Sequence, residues 1–280
     1  MRNMKWFLIG FMALLITVNV SAEFISLQST IDMQQVVNDT STEANITITN
    51  SGDEPAYDVI VEPMSNQGLA SGEISLGTIN PNQTVVGTLE ISIPSDAKPG
   101  KYAMGVLIRY SDVQNYPFTF VTPLHLFYQK PVQSNVVGLL NEVELVGEEK
   151  KTLTLEIQNR EDKEREVFVK LYTPNQIAVS GKEQTVTLLP SSKTNVEFVV
   201  SSLGALPGGN FYVFAVIDYD DDAIHYSVVS ANGKILTSKP KAMMDSMTPL
   251  IVVVVVVLVL VLIYLQLRQD KPVKPAAKKK

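Results

Sequence analysis

The stretch Ala44-Asn45-Ile46-Thr47-Ile48-Thr49-Asn50-Ser51-Gly52-Asp53-Glu54-Pro55 decides the fold. Its first half alternates with period two, which sets Ile46 and Ile48 on one face of a strand and Asn45, Thr47 and Thr49 on the other. Ser51-Gly52-Asp53-Glu54-Pro55 then supplies turn formers, and Tyr57-Asp58-Val59-Ile60-Val61 alternates again. Strand, turn and returning strand make an antiparallel pair. Outward from it, residues 23–238 hold strand patterns of about five to eight residues separated by turn clusters, with almost no helical periodicity. That pattern predicts an all-β chain of antiparallel sandwiches.

The unit occurs twice. Leu153 to Gln158 repeats the first strand, Asn159-Arg160-Glu161-Asp162 the turn and Glu166 to Tyr172 the return. Asn50 pairs with Asn159, Pro81 with Pro190 and Pro99 with Pro207, at offsets of about 109, 109 and 108 residues. A register held over most of a domain marks an internal repeat. Two sandwiches are therefore expected, at 23–131 and 132–238, joined near 129–134 where Lys130-Pro131 ends an aromatic strand. So short a connection predicts a semi-rigid rod. The inward positions are Leu27, Ile46, Ile48, Val59, Val61, Leu89, Ile91, Ile93, Met104, Val106 and Ile108 in the first unit. In the second they are Leu153, Leu155, Ile157, Val167, Val169, Leu171, Val196, Phe198, Val200, Val213, Ala215 and Ile217. Val136-Val137-Gly138-Leu139-Leu140 reads as the first strand of the second sandwich, or else as an edge for strand addition.

Two apolar stretches flank the pair. Residues 1–22 combine Arg2 and Lys5, an apolar run from Trp6 to Val18 and the small-residue ending Val20-Ser21-Ala22, the pattern of a secretory signal. Residues 246–267 carry no charge, and a span at 249–267 is long enough as helix to cross about 30 Å of hydrocarbon. A stalk at 239–248 precedes it. A tail at 268–280 follows with Arg268, Lys271, Lys274, Lys278, Lys279 and Lys280, which belongs on the cytoplasmic side by the positive-inside rule. The chain is thus expected in the cell membrane as a single-pass protein with its N-terminal ectodomain outside.

The exported part keeps about 15 basic against about 28 acidic side chains. An acidic exterior repels phosphate backbones and argues against nucleic acid as a partner. The chain has no cysteine, which excludes disulfide staples, a thiolate nucleophile, cysteine metal cages and a lipidated-cysteine anchor.

The first unit's Ile-Thr-Ile-Thr-Asn-Ser-Gly, Ala-Tyr-Asp-Val-Ile-Val, Leu-Gly-Thr-Ile-Asn-Pro-Asn-Gln-Thr and Ile-Pro-Ser-Asp-Ala-Lys-Pro-Gly-Lys-Tyr resembles the Ig-like surface domains of archaea and bacteria. Those are the adhesion-related module and the related module appended to some glycosidases. The second unit resembles them more faintly, because Arg160-Glu161 replace the Ser-Gly turn. The resemblance implies tandem Ig-like sandwiches in a cell-envelope protein with a C-terminal membrane anchor, and it brings no catalytic residues.

Asp218, Asp220, Asp221 and Asp222 form the densest charge cluster, on one tight connection. The cluster reads first as a solvated hairpin tip; four carboxylates there also offer oxygens to Ca²⁺, although the spacing matches no EF-hand loop. Asn38, Asn45 and Asn82 head Asn-x-Thr sequons and are the glycosylation candidates. His125 and His225, the only histidines, have no sequence neighbours that make a triad or zinc site, and read as structural. No nucleophile elbow, phosphate loop or His-Glu-x-x-His occurs, so no catalytic site and no cofactor are expected. The expected function is non-catalytic: binding or scaffolding of an envelope protein or glycan. The alternative is an accessory subunit of a membrane secretion, transport or glycosylation complex.

Overall fold

The structure, a computed structural model, describes residues 24–64, 66, 69–231 and 233–239, together with Val253, Val257 and Val261. The expected signal, nearly all of the stalk, the tail and most of the apolar span lie outside the described residues. Among those described, no helix is long and apolar enough to cross a membrane.

The chain is all-β. The first repeat contributes β1 (Leu27–Met33), β2 (Val36–Val37), β3 (Ser41–Asn50), β4 (Ala56–Met64), β5 (Ala70–Ser71), β6 (Ile74–Ile79), β7 (Thr84–Ser92), β8 (Gly100–Ser111) and β9 (Pro117–Tyr128). The second contributes β10 (Val136–Leu140), β11 (Glu142–Val146), β12 (Lys150–Asn159), β13 (Arg165–Tyr172), β14 (Ile177–Ser180), β15 (Glu183–Leu188) and β16 (Lys193–Ser202). It closes with β17 (Asn210–Tyr212), β18 (Phe214–Asp221), β19 (Ile224–Val229) and β20 (Lys234–Ser238).

One sheet of the first repeat has the order β1-β3-β7-β5, and its counterpart in the second is β10-β12-β16-β14. The facing sheets run β9-β8-β4-β6 and β19-β18-β13-β15. Both repeats also divide their first strand between sheets, since β2 pairs in parallel with β9 and β11 in parallel with β20. This partition is consistent with the Ig-like sandwiches expected from the sequence. Each sandwich has its own core, and every inward position named above lies in or against it. Val136 and Leu140 are buried, so the 136–140 stretch is the first strand of the second sandwich, with Leu139 left exposed on its outer side.

A buried asparagine explains why the turn after the first long strand is shared. The Asn50 Nδ2 donates to the carbonyls of Glu54 (2.8 Å) and Ile79 (3.1 Å), and its Oδ1 accepts from the Gly52 N–H (3.0 Å). The Asn159 Nδ2 donates to the carbonyls of Lys163 (2.8 Å) and Leu189 (3.1 Å), and its Oδ1 accepts from the Glu161 N–H (3.0 Å). Asn82 and Ser191, equivalent turn residues, both adopt positive φ, 60° and 50°. The asparagine bonds are common to both turns, so the second keeps them with Arg160-Glu161 in place of the Ser-Gly pair.

Candidate functional site

The concentration of buried polar groups lies where the two sandwiches meet. His225 of β19 pairs in parallel with Gly100 of β8, and its N–H donates to the Pro99 carbonyl at 3.0 Å. A Cβ at Gly100 would stand 1.9 Å from the His225 carbonyl oxygen, so only glycine permits this approach. Beside it, Ala103, Leu107 and Val121 of the first sandwich pack against Tyr172, Phe214 and Val216 of the second. The Tyr172 and Phe214 rings stack at 5.1 Å. The connection at 129–135 therefore does not space the domains into a rod; β8 lies directly alongside β19.

Four polar residues of the β18–β19 hairpin fill the joint. Asp218 faces Ser227 and Asp220 faces His225 across the hairpin, and period two places all four on one face. The His225 Nδ1 is 2.8 Å from an Asp220 oxygen, its Nε2 is 3.1 Å from the Ser227 hydroxyl, and that hydroxyl donates to Asp218 in a short bond. The first sandwich answers with three groups. The Asn66 Nδ2 donates to the other Asp218 oxygen (2.8 Å) and to the Ala103 carbonyl (2.9 Å). Lys98 pairs with Asp220 at 2.6 Å, and the Tyr102 ring stacks on the imidazole at 4.3 Å.

Proton placement follows from this geometry. The Ser227 hydroxyl donates to Asp218, and an imidazole protonated on both nitrogens would donate from Nε2 to Ser227 and from Nδ1 to Asp220. Burial pushes the His225 pKa down, but hydrogen bonds and charge from Asp218 and Asp220 outweigh it and raise it above the ordinary value. Burial opposes ionisation of Asp220, yet Lys98 and His225 hold its pKa below the usual carboxylate range. Burial, with the Asp220 charge next, pushes Tyr102 up to about 12, so it stays neutral.

Ser227, His225 and Asp220 have the contacts of a hydrolytic triad, but the serine's proton is directed elsewhere. A nucleophilic serine gives its proton to the imidazole, whereas the Ser227 hydroxyl donates to Asp218. Ser227 is also only 1 % exposed. The cluster is a clamp between domains.

The four aspartates of the candidate calcium loop take separate partners. Asp218 is buried in the joint, and Asp220 points to Lys98 and His225. Asp221 takes Lys163 (2.9 Å) and Arg165 (2.8 Å), which hold its pKa far below the usual range. Asp222 is an exposed turn residue with φ 44°. Among the described residues, no group of three or more acidic or histidine side chains is arranged to hold a metal ion. All three sequon asparagines are exposed: Asn38 after β2, Asn45 on β3 and Asn82 in its turn. The Asn45 Oδ1 accepts from the Thr88 hydroxyl at 2.9 Å. His125 lies exposed on β9, away from the joint.

An open groove of about 710 Å³ runs along the same junction, between Val121 and Pro123 of β9 and Leu139, Tyr212, Phe214 and Val229 of the second sandwich. Its charged residues are Glu142 and Lys234, 4.0 Å apart.

No protein-family model matches the chain, and no curated protein matches it. Solved structures do. A Salmonella alpha-2-macroglobulin mutant is 13 % identical over 80 % of this chain and 17 % of its own, with a TM-score of 0.31. Red sea bream transglutaminase is 15 % identical over 76 % and 31 %, with a TM-score of 0.27. A protein of unknown function from Porphyromonas gingivalis W83 is 10 % identical over 73 % and 98 %, with a TM-score of 0.29. This chain thus spans 17 % of the alpha-2-macroglobulin mutant's length. These are β-rich proteins, and likeness at this level says nothing about what this chain binds.

The sequence reading missed the joint. Its signal is present: the stretches Tyr102-Ala103-Met104-Gly105-Val106-Leu107 within β8 and Phe214-Ala215-Val216-Ile217 within β18 have no charged residue and no alternation of polar with apolar positions. A strand apolar on both faces has both faces covered.

Proposed function

We propose that this protein is a non-catalytic, single-pass surface protein whose paired sandwiches bind or scaffold another component of the cell envelope. One observation carries the reading against catalysis. His225 and Ser227 are buried at a domain joint with the Ser227 hydroxyl donating to Asp218, while the accessible groove beside them is lined mainly by apolar side chains. Such a lining suits an apolar partner surface better than a charged substrate. The uncharged stretch 246–267, its basic flank and the N-terminal signal pattern support external display and anchorage. Val253, Val257 and Val261, spaced four apart, are helical and exposed, as residues of a lipid-facing helix would be.

The test is crosslinking in native membranes, purification of tagged full-length protein and identification of what accompanies it. Recovery of envelope protein or glycan supports scaffolding. A membrane protein recovered in near-equal amount establishes the accessory-subunit reading instead. That second reading is weakened by the 251–262 span, which lacks the small or polar residues that helix–helix interfaces favour.

A further inference from the structure

The loop between β16 and β17 is uncharged from Ser201 to Asn210 and ends two exposed leucines in solvent, Leu203 at 65 % and Leu206 at 50 % exposure. It is tied to the last strand before the chain leaves the sandwich. The Thr237 hydroxyl donates to the Leu206 carbonyl at 2.6 Å, and the Gly208 N–H donates to the Thr237 carbonyl at 2.7 Å. The first sandwich reaches the same place, because the Tyr116 hydroxyl, in the turn between β8 and β9, donates to the Gly204 carbonyl. That turn carries Val113, 64 % exposed. Tyr110, Tyr116 and Phe118 stand behind it with ring centroids 5.0 and 5.4 Å apart. Exposed aliphatics, an uncharged backbone and a tyrosine belong where water meets lipid.

Only residues 239–245 separate β20 from the uncharged stretch 246–267. Even fully extended, seven residues reach about 25 Å. We propose that Leu203, Leu206 and Val113 form a lipid-contacting foot, which seats both sandwiches on the outer surface of the bilayer that the C-terminal stretch enters. The inference rests on the anchored reading above. Under it, the ectodomain lies against the membrane instead of swinging on its stalk, and the first sandwich is not simply the distal one.

The absence of cysteine allows a direct test on the full chain. Single variants Leu203→Cys, Leu206→Cys and Val113→Cys are labelled with a polarity-sensitive fluorophore in phosphatidylcholine vesicles carrying spin-labelled lipids quenching at different depths. Leu189→Cys is the matched control. It is an exposed leucine (58 %) at the opposite end of the second sandwich, separated from Leu203 by the ten residues of β16, about 33 Å. Val257→Cys reports the anchor.

The expected result is quenching at 203, 206 and 113 by shallow labels, at 257 by deep ones and at 189 by neither. Deep quenching at 257 with the three foot positions no more quenched than 189 overturns the foot and leaves the anchor standing. No quenching at 257 overturns both. Two leucines in one loop keep the test decisive if one labelled variant misfolds.

Discussion

Asn50 and Asn159 carry the two turns by bonding backbone groups on both sides of them, the carbonyls of Glu54 and Ile79 in one and of Lys163 and Leu189 in the other. Replacing either by alanine strands buried backbone carbonyls and should cost about 1–3 kcal/mol in the affected sandwich. Denaturant melts of Asn50→Ala and Asn159→Ala check this; an unchanged midpoint in either variant would contradict it. His225 sets the pH response. Its folded pKa lies above the unfolded value near 6.5, so its contribution is complete below about pH 6.5 and fades as pH rises through the folded pKa. Asp220, lowered from 3.8, contributes above that value and loses its share as pH falls through its folded pKa. These groups therefore stabilise the fold most between about pH 4 and 6.5, His225 through the carboxylates of its own hairpin and Asp220 also through Lys98 of the first sandwich. Tyr102, pushed up to about 12, does not titrate in this range. Stability should fall from pH 6 towards pH 9 in the native chain and fall less in His225→Gln, as followed by calorimetric unfolding.

At the scale of the element, β8 and β18 have the unusual task of facing a core on one side and another domain on the other. Gly100 makes the closest approach possible, and Gly100→Ala would drive a Cβ into the His225 carbonyl. Since each sandwich keeps its own core, the variant should unfold in two separate calorimetric transitions where the native chain gives one; a single transition of unchanged midpoint would contradict the role given to the joint. The sandwiches themselves were legible because alternation and turn chemistry are local. Ile46, Ile48 and their repeat equivalents declare an inward face, and the offset of about 109 residues declares two copies. The joint was not legible in the same way. Asp218, Asp220, His225 and Ser227 come together only through the hairpin register, and Asn66, Lys98 and Tyr102 arrive from the other domain. The uncharged stretches without alternation in β8 and β18 were the available sign, and they tell of a covered face without naming the cover.

For the whole molecule, the consequence is a pair of repeats that behaves as one body. The short connection is not what fixes the geometry. The parallel contact of β8 with β19, the apolar cluster around Tyr172 and the charged clamp fix it together. A rigid pair presents its groove and its loops in constant relation, which lowers the ordering cost of holding a partner. The exposed Lys98–Asp220 pair adds at most about 1 kcal/mol, so raised salt alone should leave the pair intact. The most direct measurement is a pulsed spin–spin distance in the full chain in lipid, between labels at Val86→Cys in the first sandwich and Leu189→Cys in the second, both exposed. A single narrow distance distribution at pH 6 is predicted. A broad distribution at that pH would contradict the one-body account.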